Sequence, residues 1–392
     1  MSLFSSIDKK ERIKVVLDIR SSSVGGAILV QKKNSEPLIK YTIRKQVFFE
    51  ENVSSNEFIE RHMVLISAVL DDLVAQGMKK VRKNKGNNRI EEVLCVFSSP
   101  WYKPKIKNFS FKKEKSILFT HSFLKKILSK EKETDKIDNN LKIIDKKIIS
   151  IYMNGYETKN PFGKKAKQID LSFYSSVMSK KELQKIEEKI EEKLNPIRIK
   201  FSTHSLVIIS VIRNLFYSLS NFLVFNIGGE NTEISLFQDS VLCNLISIPV
   251  GINYFIRKVR DDCSLDRDSA ISRIKMFFNN EIEEKKSKKT GVVMNKIQKE
   301  YLTKICDVIE GQWNNIIIPP TIFVTVDNPV GTSIKKVLTL KENYSKILKI
   351  NREPIVHVIN NQNTETLCDY EDGTQKDALL SVIANFSSLD EN

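Results

Sequence analysis

The stretch "FNIGGENTEISLF", residues 225 to 237, decides the fold. An apolar run breaks at Gly228 and Gly229 and resumes at Ile234. Two β-rich runs around a glycine turn read as a hairpin, and adjacent glycines let the turn's backbone approach a ligand closely. Such a turn suits a phosphate. Yet Asn226 stands where an acid that organises a metal would be expected, and Glu230 sits inside the turn.

A second stretch, "IKVVLDIRSSSVGGAILVQ" (13–31), repeats the plan, with "RSSS" between two apolar runs. After it, "FIERHMVLISAVLDDLVAQGM" (58–78) places apolar residues three and four apart and predicts a helix, with Gly77 near its end. "EEVLCVFSSPW" (91–101) reads as a buried strand entering a loop. Strand, hairpin, helix and strand in this order predict an α/β core.

Residues 102–176 differ in character. They are lysine-rich, with a helix in "HSFLKKILSKEK" (121–132) and strands in "KKIISIYMNGYE" and "AKQIDLSFYSSV". The turn formers of "NGYETKNPFGKK" lie between those strands, which predicts a small inserted subdomain with its own sheet. In "SKKELQKIEEKIEEKLNP" (179–196) Leu183, Ile186, Ile190 and Leu194 make one helical stripe that Pro196 closes. "IRIKFS" alternates as a strand, whereas "SLVIISVIRNLF" (205–216) fits either a strand or a buried helix. Beyond the glycine hairpin come "ISIPVG" (246–251) and a helical tract over 252–314. Strand "TIFVTV", helix "SIKKVLTLKE", strand "PIVHVI" and a final helix "KDALLSVIANF" then complete the chain. Two hairpins opening two halves of similar plan suggest an internal duplication.

Composition narrows the function classes. A chain of 392 residues has room for two or more domains, and 41% hydrophobic with 8% aromatic residues is the make-up of a folded protein. The 63 basic residues exceed the 48 acidic ones, a net charge of +15. The lysines are scattered through helices and loops, without an Arg-rich helix, zinc finger or aromatic RNA-binding signature, so the expectation is no nucleic acid. Cys95, Cys243, Cys263, Cys306 and Cys368 form no CxxC pair and read as core thiols of a reduced, cytosolic chain. Four isolated histidines, His204 among them, offer no metal-ligand spacing. The longest apolar stretch (205–216) contains Arg213 and is too short to span a bilayer. The start of the chain lacks the apolar core of a signal peptide.

Together the two hairpins, "FSSPWY", "GYETKNPFGKKAKQIDL" and "SIPVG" resemble one family, the actin-like ATPases of the division protein FtsA and type IV pilus protein PilM group. "VLDIRSSSVGGAILV" is similar to the family's first phosphate loop and "FNIGGENTEISLF" to its second. The resemblance implies an α/β, actin-like (ribonuclease H-like) fold of duplicated domains with an FtsA/PilM-type inserted subdomain. The expected division is 12–101 and 177–218 for the first core domain, with 102–176 inserted. The second core domain is expected over 219–260 and 315–387, around a helical subdomain at 261–314. The end of the chain, "ANFSSLDEN", does not resemble the amphipathic membrane helix of FtsA proteins, which favours the PilM branch.

By resemblance the cofactors would be ATP and Mg2+. Asp18 stands at the first-loop aspartate and would serve the metal, and Ser21, Ser22 and Ser23 would give hydroxyls to phosphate. Asn226, Gly228, Gly229 and Thr232 match the second loop, and Lys275 in "ISRIK" matches a lysine of the facing helix. Departures from the pattern are Arg20 for glycine, Asn226 for aspartate, Glu230 for a third glycine, and Val326 with Asp327 where a glycine pair would bed the nucleoside. No Glu or Gln near "THSLVIIS" could orient an attacking water. The expectation is therefore no catalytic residue and weak or lost hydrolysis. The implied role is a cytoplasmic scaffold at the inner face of the membrane. It would bind the cytoplasmic tail of an inner-membrane, PilN-like pilus protein, with membrane association only through that partner. An FtsA-like division protein, or an ATP-driven ATPase forming a homo-oligomer or filament, is the alternative.

Overall fold

A computed structural model describes residues 11–32, 35–51, 53–81, 89–134, 138–158, 160–216, 219–239, 241–279, 284–313, 316–327, 334–338 and 353–389. The first sheet begins as an antiparallel meander of β1 (Arg12–Ile19), β2 (Ser23–Gln31) and β3 (Leu38–Gln46). Helix α1 (Ser55–Asp72), one π-helical turn and the short α2 (Met78–Val81) then lead to β4 (Ile90–Phe97), which lies parallel to β1. Strand β1 is buried at every position after Arg12 because both faces of the sheet are covered, hence its unbroken apolar run. Alternate residues serve opposite layers: Val15, Leu17 and Ile19 pack towards α1, and Val16 packs towards the molecule's centre.

Between β4 and the sheet's next strand the chain builds a separate antiparallel sheet. Its strands are β5 (Tyr102–Leu118), β6 (Leu141–Met153), β7 (Tyr156–Glu157) and β8 (Lys165–Ser179), in the order β5-β8-β6-β7. Helix α3 (His121–Thr134) lies across it over a small core of Phe119, Ile169, Leu171 and Phe173. Helix α4 (Lys180–Leu194) buries the stripe Leu183, Ile186, Ile190 and Leu194 against the first sheet and stops at Asn195 in the left-handed conformation (φ 42°). Strand β9 (Arg198–Thr203) returns parallel to β4.

Helix α5 (His204–Leu215) resolves the ambiguity of "SLVIISVIRNLF". It is buried on nearly all sides, so it carries β-branched residues without the polar face that marks a surface helix. The second sheet repeats the first. Strands β10 (Phe222–Ile227), β11 (Thr232–Gln238) and β12 (Val241–Ile248) form an antiparallel meander. Helices α6 (Ile252–Cys263), α7 (Arg267–Phe278) and α8 (Glu284–Gln312) follow. Strands β13 (Thr321–Val326) and β14 (Ile355–Val358), with α9 (Ile334–Leu338) between them, then run parallel to β10. Both sheets therefore read third, second, first, fourth and fifth strand in space, β3-β2-β1-β4-β9 and β12-β11-β10-β13-β14. The two-residue β15 (Asp369–Tyr370) adds an edge to β3, and α10 (Ala378–Leu389) lies with α5 between the sheets.

Two strands go beyond the sequence reading. Strand β3 alternates Ile39, Tyr41 and Ile43 with Lys40, Thr42 and Arg44, a pattern of period two that marks a half-covered sheet edge. Strand β5 is 17 residues long and so rich in lysine that it resembles a loop, yet Phe109 and Phe111 anchor it to the small core. The later half of "SIKKVLTLKE" and the basic run 82–88 lie outside the described residues.

Candidate functional site

The turns after β1 and β10 meet at a seam between the two sheets. Ser21 Oγ accepts the Glu230 backbone N–H at 3.1 Å. A Cβ added at Gly228 would stand 2.6 Å from Ser21 Oγ, and one at Gly229 would stand 2.0 Å from Ser22 Oγ. The glycine pair is needed for contact between the two turns. Behind them, the first amides of α6 donate to the hairpin, Ile252 to Gly228 O and Asn253 to Gly229 O, both at 2.9 Å. The helix end that could face an anion is thereby satisfied by main-chain carbonyls. Gly251 makes this possible, since a Cβ there would lie 2.4 Å from both carbonyl oxygens.

Asp327, the residue after β13, reaches across the seam. Its amide donates to Ile227 O at 2.8 Å, which aims the side chain at the first turn. Its carboxylate accepts Ser22 Oγ at 2.9 Å and Ser23 Oγ at 2.7 Å. Arg20 Nε stands 3.7 Å from the same carboxylate, an ion pair without a hydrogen bond. Arg20 is fully buried and donates from Nη2 to Asn226 Oδ1 at 2.5 Å. Asn226 Oδ1 also accepts Thr325 Oγ1 at 3.0 Å. Two donors on one oxygen fix the orientation of the amide.

Asp18 lies at the first-sheet side of this network. Its Oδ2 accepts Arg44 Nη2 at 2.9 Å, while its Oδ1 is buried without a hydrogen-bond partner. Burial pushes the Asp18 carboxyl up, and the charges of Arg44 and Arg20 only partly oppose it. Arg44, on β3, also donates from Nη1 to Ser23 Oγ at 3.0 Å and from Nε to Asp377 Oδ2 at 2.7 Å. For Asp377, burial acts upward but the Arg44 charge and hydrogen bonds outweigh it, so its carboxyl sits below its ordinary value. Asp377 also accepts the amides of Leu379 and Leu380 at 3.0 Å, capping α10 and tying the last helix to the first hairpin.

The residues expected to bind ATP are only partly brought together. Asp18, Ser21, Ser22, Ser23, Asn226, Gly228 and Gly229 share the seam. Thr232 turns away, donating to Val250 O at 2.6 Å within the second core. Lys275 is exposed on α7 and joins none of these contacts. Glu230 is held by Arg257 at 2.9 Å and Asn253 at 2.7 Å rather than aimed at the turn. Arg44 and Asp377 were not foreseen. The alternation of β3 is the signal that could have placed Arg44 beside the first hairpin.

A second polar cluster lies where β11 meets the inserted sheet. Glu233 accepts Tyr102 Oη at 2.5 Å, and Ser205 Oγ as well. Burial pushes the Glu233 carboxyl up against these hydrogen bonds. His204, the first residue of α5, is fully buried with neither ring nitrogen hydrogen-bonded. Burial, then the Arg20 and Arg44 charges, holds it well below the ordinary histidine range.

A nucleotide held by this fold would need free hydroxyls and amides for phosphate and carboxylates for the Mg2+ shell. As arranged, the residues do not fit that group. The Ser22 and Ser23 hydroxyls serve Asp327, Asp18 is paired with Arg44, and Asn226 brings no charge.

The other opening of interest is a groove of about 380 Å3 between β6 and helices α5 and α10. Ile149, Leu206, Ile209, Phe216 and Phe386 give it an apolar floor, and Lys147, Glu157 and Arg213 line its polar side. Arg213 Nη1 donates to Ile149 O at 2.8 Å, and Arg213 Nη2 to Glu157 at 2.6 Å. From Leu141 to Ile148, β6 has ladder pairing only with β8 among the described residues, while the Ile149 and Ile151 carbonyls already accept Arg213 and the Thr158 amide.

No protein-family model matches the chain, and no curated protein matches its sequence. Solved structures do match in fold. A chain of the PilM-PilN type IV pilus biogenesis complex superposes with a TM-score of 0.60 at 11% identity, over 98% of this chain and 99% of that one. The ethanolamine utilization protein EutJ from Carboxydothermus hydrogenoformans (TM-score 0.45, 10% identity, 96% and 89% covered) is also similar. So is MreB 5 of Spiroplasma citri bound to AMPPNP (0.44, 9%, 97% and 96%). The fold is that of the actin-like ATPases, with PilM-like architecture along nearly the whole chain.

Proposed function

We propose that this chain is a PilM-like, actin-fold scaffold that binds the cytoplasmic tail of an inner-membrane pilus protein and no longer hydrolyses ATP. The observation that carries the reading is the groove beside β6. An extended peptide laid there would meet the side of β6 that no described strand pairs up to Ile148, where Arg213 would have to yield the Ile149 carbonyl, and an apolar floor for alternate side chains, the two requirements of strand addition. The likeness in fold to a chain from the PilM-PilN complex supports it. No helix among the described residues is long and apolar enough to cross a membrane, so in this reading the partner supplies the membrane anchor. The net charge of +15 favours approach to an anionic leaflet.

The test is a titration of the host's PilN-like tail peptide into the full chain and into Ser210→Trp. Ser210 is half-buried and lines the groove, so an indole there fills the space without touching the seam. Saturable binding that weakens at least about tenfold in the variant, a loss of about 1.4 kcal/mol, is the expected result. Equal binding by both chains, or intact pilus assembly after deletion of the gene, contradicts the reading.

A further inference from the structure

The hydroxyls, the guanidinium and the paired glycines of the seam make an anion seat, and the chain fills it itself. We propose that the Asp327 carboxylate is a tethered ligand in a phosphate-type anion seat formed by Ser22, Ser23 and Arg20, and that its presence locks the two sheets together in place of a nucleotide. This goes beyond the scaffold reading and is independent of what occupies the groove.

Four observations converge. First, both Asp327 oxygens are held by serine hydroxyls, at 2.7 and 2.9 Å, from the turn that would face a phosphate. Second, a fully buried arginine stands beside them at 3.7 Å and bridges to Asn226 of the opposite hairpin, so one cation ties both turns to one carboxylate. Third, Arg20 Nε and Nη1 have no hydrogen-bond partner although buried, so the donor capacity of the seat exceeds what one carboxylate uses. Fourth, Asp327 stands where the resemblance implies one of a glycine pair, the residue without a side chain to enter the site. A carboxylate on the chain also has no translational entropy to lose on binding, so a free anion competes with it at a large disadvantage.

The decisive experiment deletes the tethered ligand and offers a free one. Asp327→Ala removes one carboxylate from the seat, and formate is the probe of matching size. In the full-length protein the variant is expected to melt below wild type. Amide exchange at residues 20–24 and 226–230 is expected to quicken by about tenfold or more, as charge-assisted hydrogen bonds at the seam are lost. Formate at high millimolar concentration is then expected to restore both, where chloride at equal ionic strength does not, and wild type is expected to respond to neither. Inorganic phosphate restoring the variant would show that the seat keeps its phosphate chemistry. Asp327→Asn fills the space without the charge, so it is expected to be weakened yet blind to formate. Should Asp327→Ala not fold, Asp327→Ser is read the same way. A variant weakened but unmoved by any anion would reduce Asp327 to an ordinary packing contact and overturn the proposal. So would variants as stable as wild type, or wild type binding Mg-ATP at micromolar concentration. None of these outcomes alters the tail titration, so the two proposals fail separately.

Discussion

The seam and the groove are both junctions between layers, and they are built in opposite ways. At the seam most facing groups are committed to one another: serines to Asp327, Arg20 to Asn226 and Asp327, glycine carbonyls to the start of α6, with Asp18 Oδ1 and two Arg20 nitrogens left without a hydrogen bond. At the groove an apolar floor lies open beside a stretch of β6 that pairs with a described strand on one side only, with Arg213 on the Ile149 carbonyl. A surface that must bind keeps open area, whereas a surface that must hold two halves together spends most of its donors and acceptors within itself. In the proposed reading, binding falls to the inserted sheet and closure to the glycine and serine turns.

Substitutions sharpen this contrast. The largest effect is expected for Arg20→Ala. It removes the cation from a buried network and leaves Asp327 with only serine hydroxyls as partners, and breaking one side of a buried charge pair costs about 3–5 kcal/mol. Denaturant unfolding measures it, and tail binding by the folded fraction should be unchanged. A cost below about 1 kcal/mol would mean that the network does not hold the sheets. Next comes Gly251→Ala, whose Cβ meets two backbone carbonyls at 2.4 Å, so the hairpin or α6 must move. Overpacking of this kind costs about 1–3 kcal/mol. Wild-type stability in this variant would show that the two elements are not pinned together.

A smaller effect concerns pH. His204 is held neutral by burial and by two nearby arginines, with its folded pKa well below the ordinary 6.5. As pH falls below that value the unfolded chain takes up a proton that the folded chain refuses, so stability is lost on acidification. His204→Leu strands no hydrogen-bond partner and should flatten that loss. Identical acid slopes for variant and wild type would show that His204 does not carry it. Asp18 works the other way. Its raised carboxyl favours the folded state at acid pH and costs stability as pH rises through its folded pKa, and Asp18→Asn should remove that loss in denaturant unfolding followed against pH.

Much of this was legible in the sequence because it rests on local patterns. The two glycine- and serine-bearing hairpins, the stripe of α4 and the alternating order of elements follow from short-range periodicity and sufficed for an α/β core, while the actin-like fold followed from the resemblance of the hairpin motifs to a family. What escaped depends on contacts between distant segments. Asp327 read as the absence of a glycine, and nothing local says that its carboxylate crosses to Ser22 and Ser23, more than 300 positions away. Arg44 and Asp377 meet across a separation of 333. Strand β5 was hidden for another reason. Most of its lysines are exposed, so little apolar signal marks a segment whose order comes from pairing with β8.

The measurement that bears most directly on the account is calorimetry of one preparation with two ligands, Mg-ATP and the PilN-like tail peptide. The account predicts saturable heat from the peptide, weakened in Ser210→Trp, and none from Mg-ATP at millimolar concentration. Micromolar Mg-ATP binding that is lost in Asp18→Ala and Gly228→Trp, with no heat from the peptide, would contradict it and make the seam a working nucleotide site.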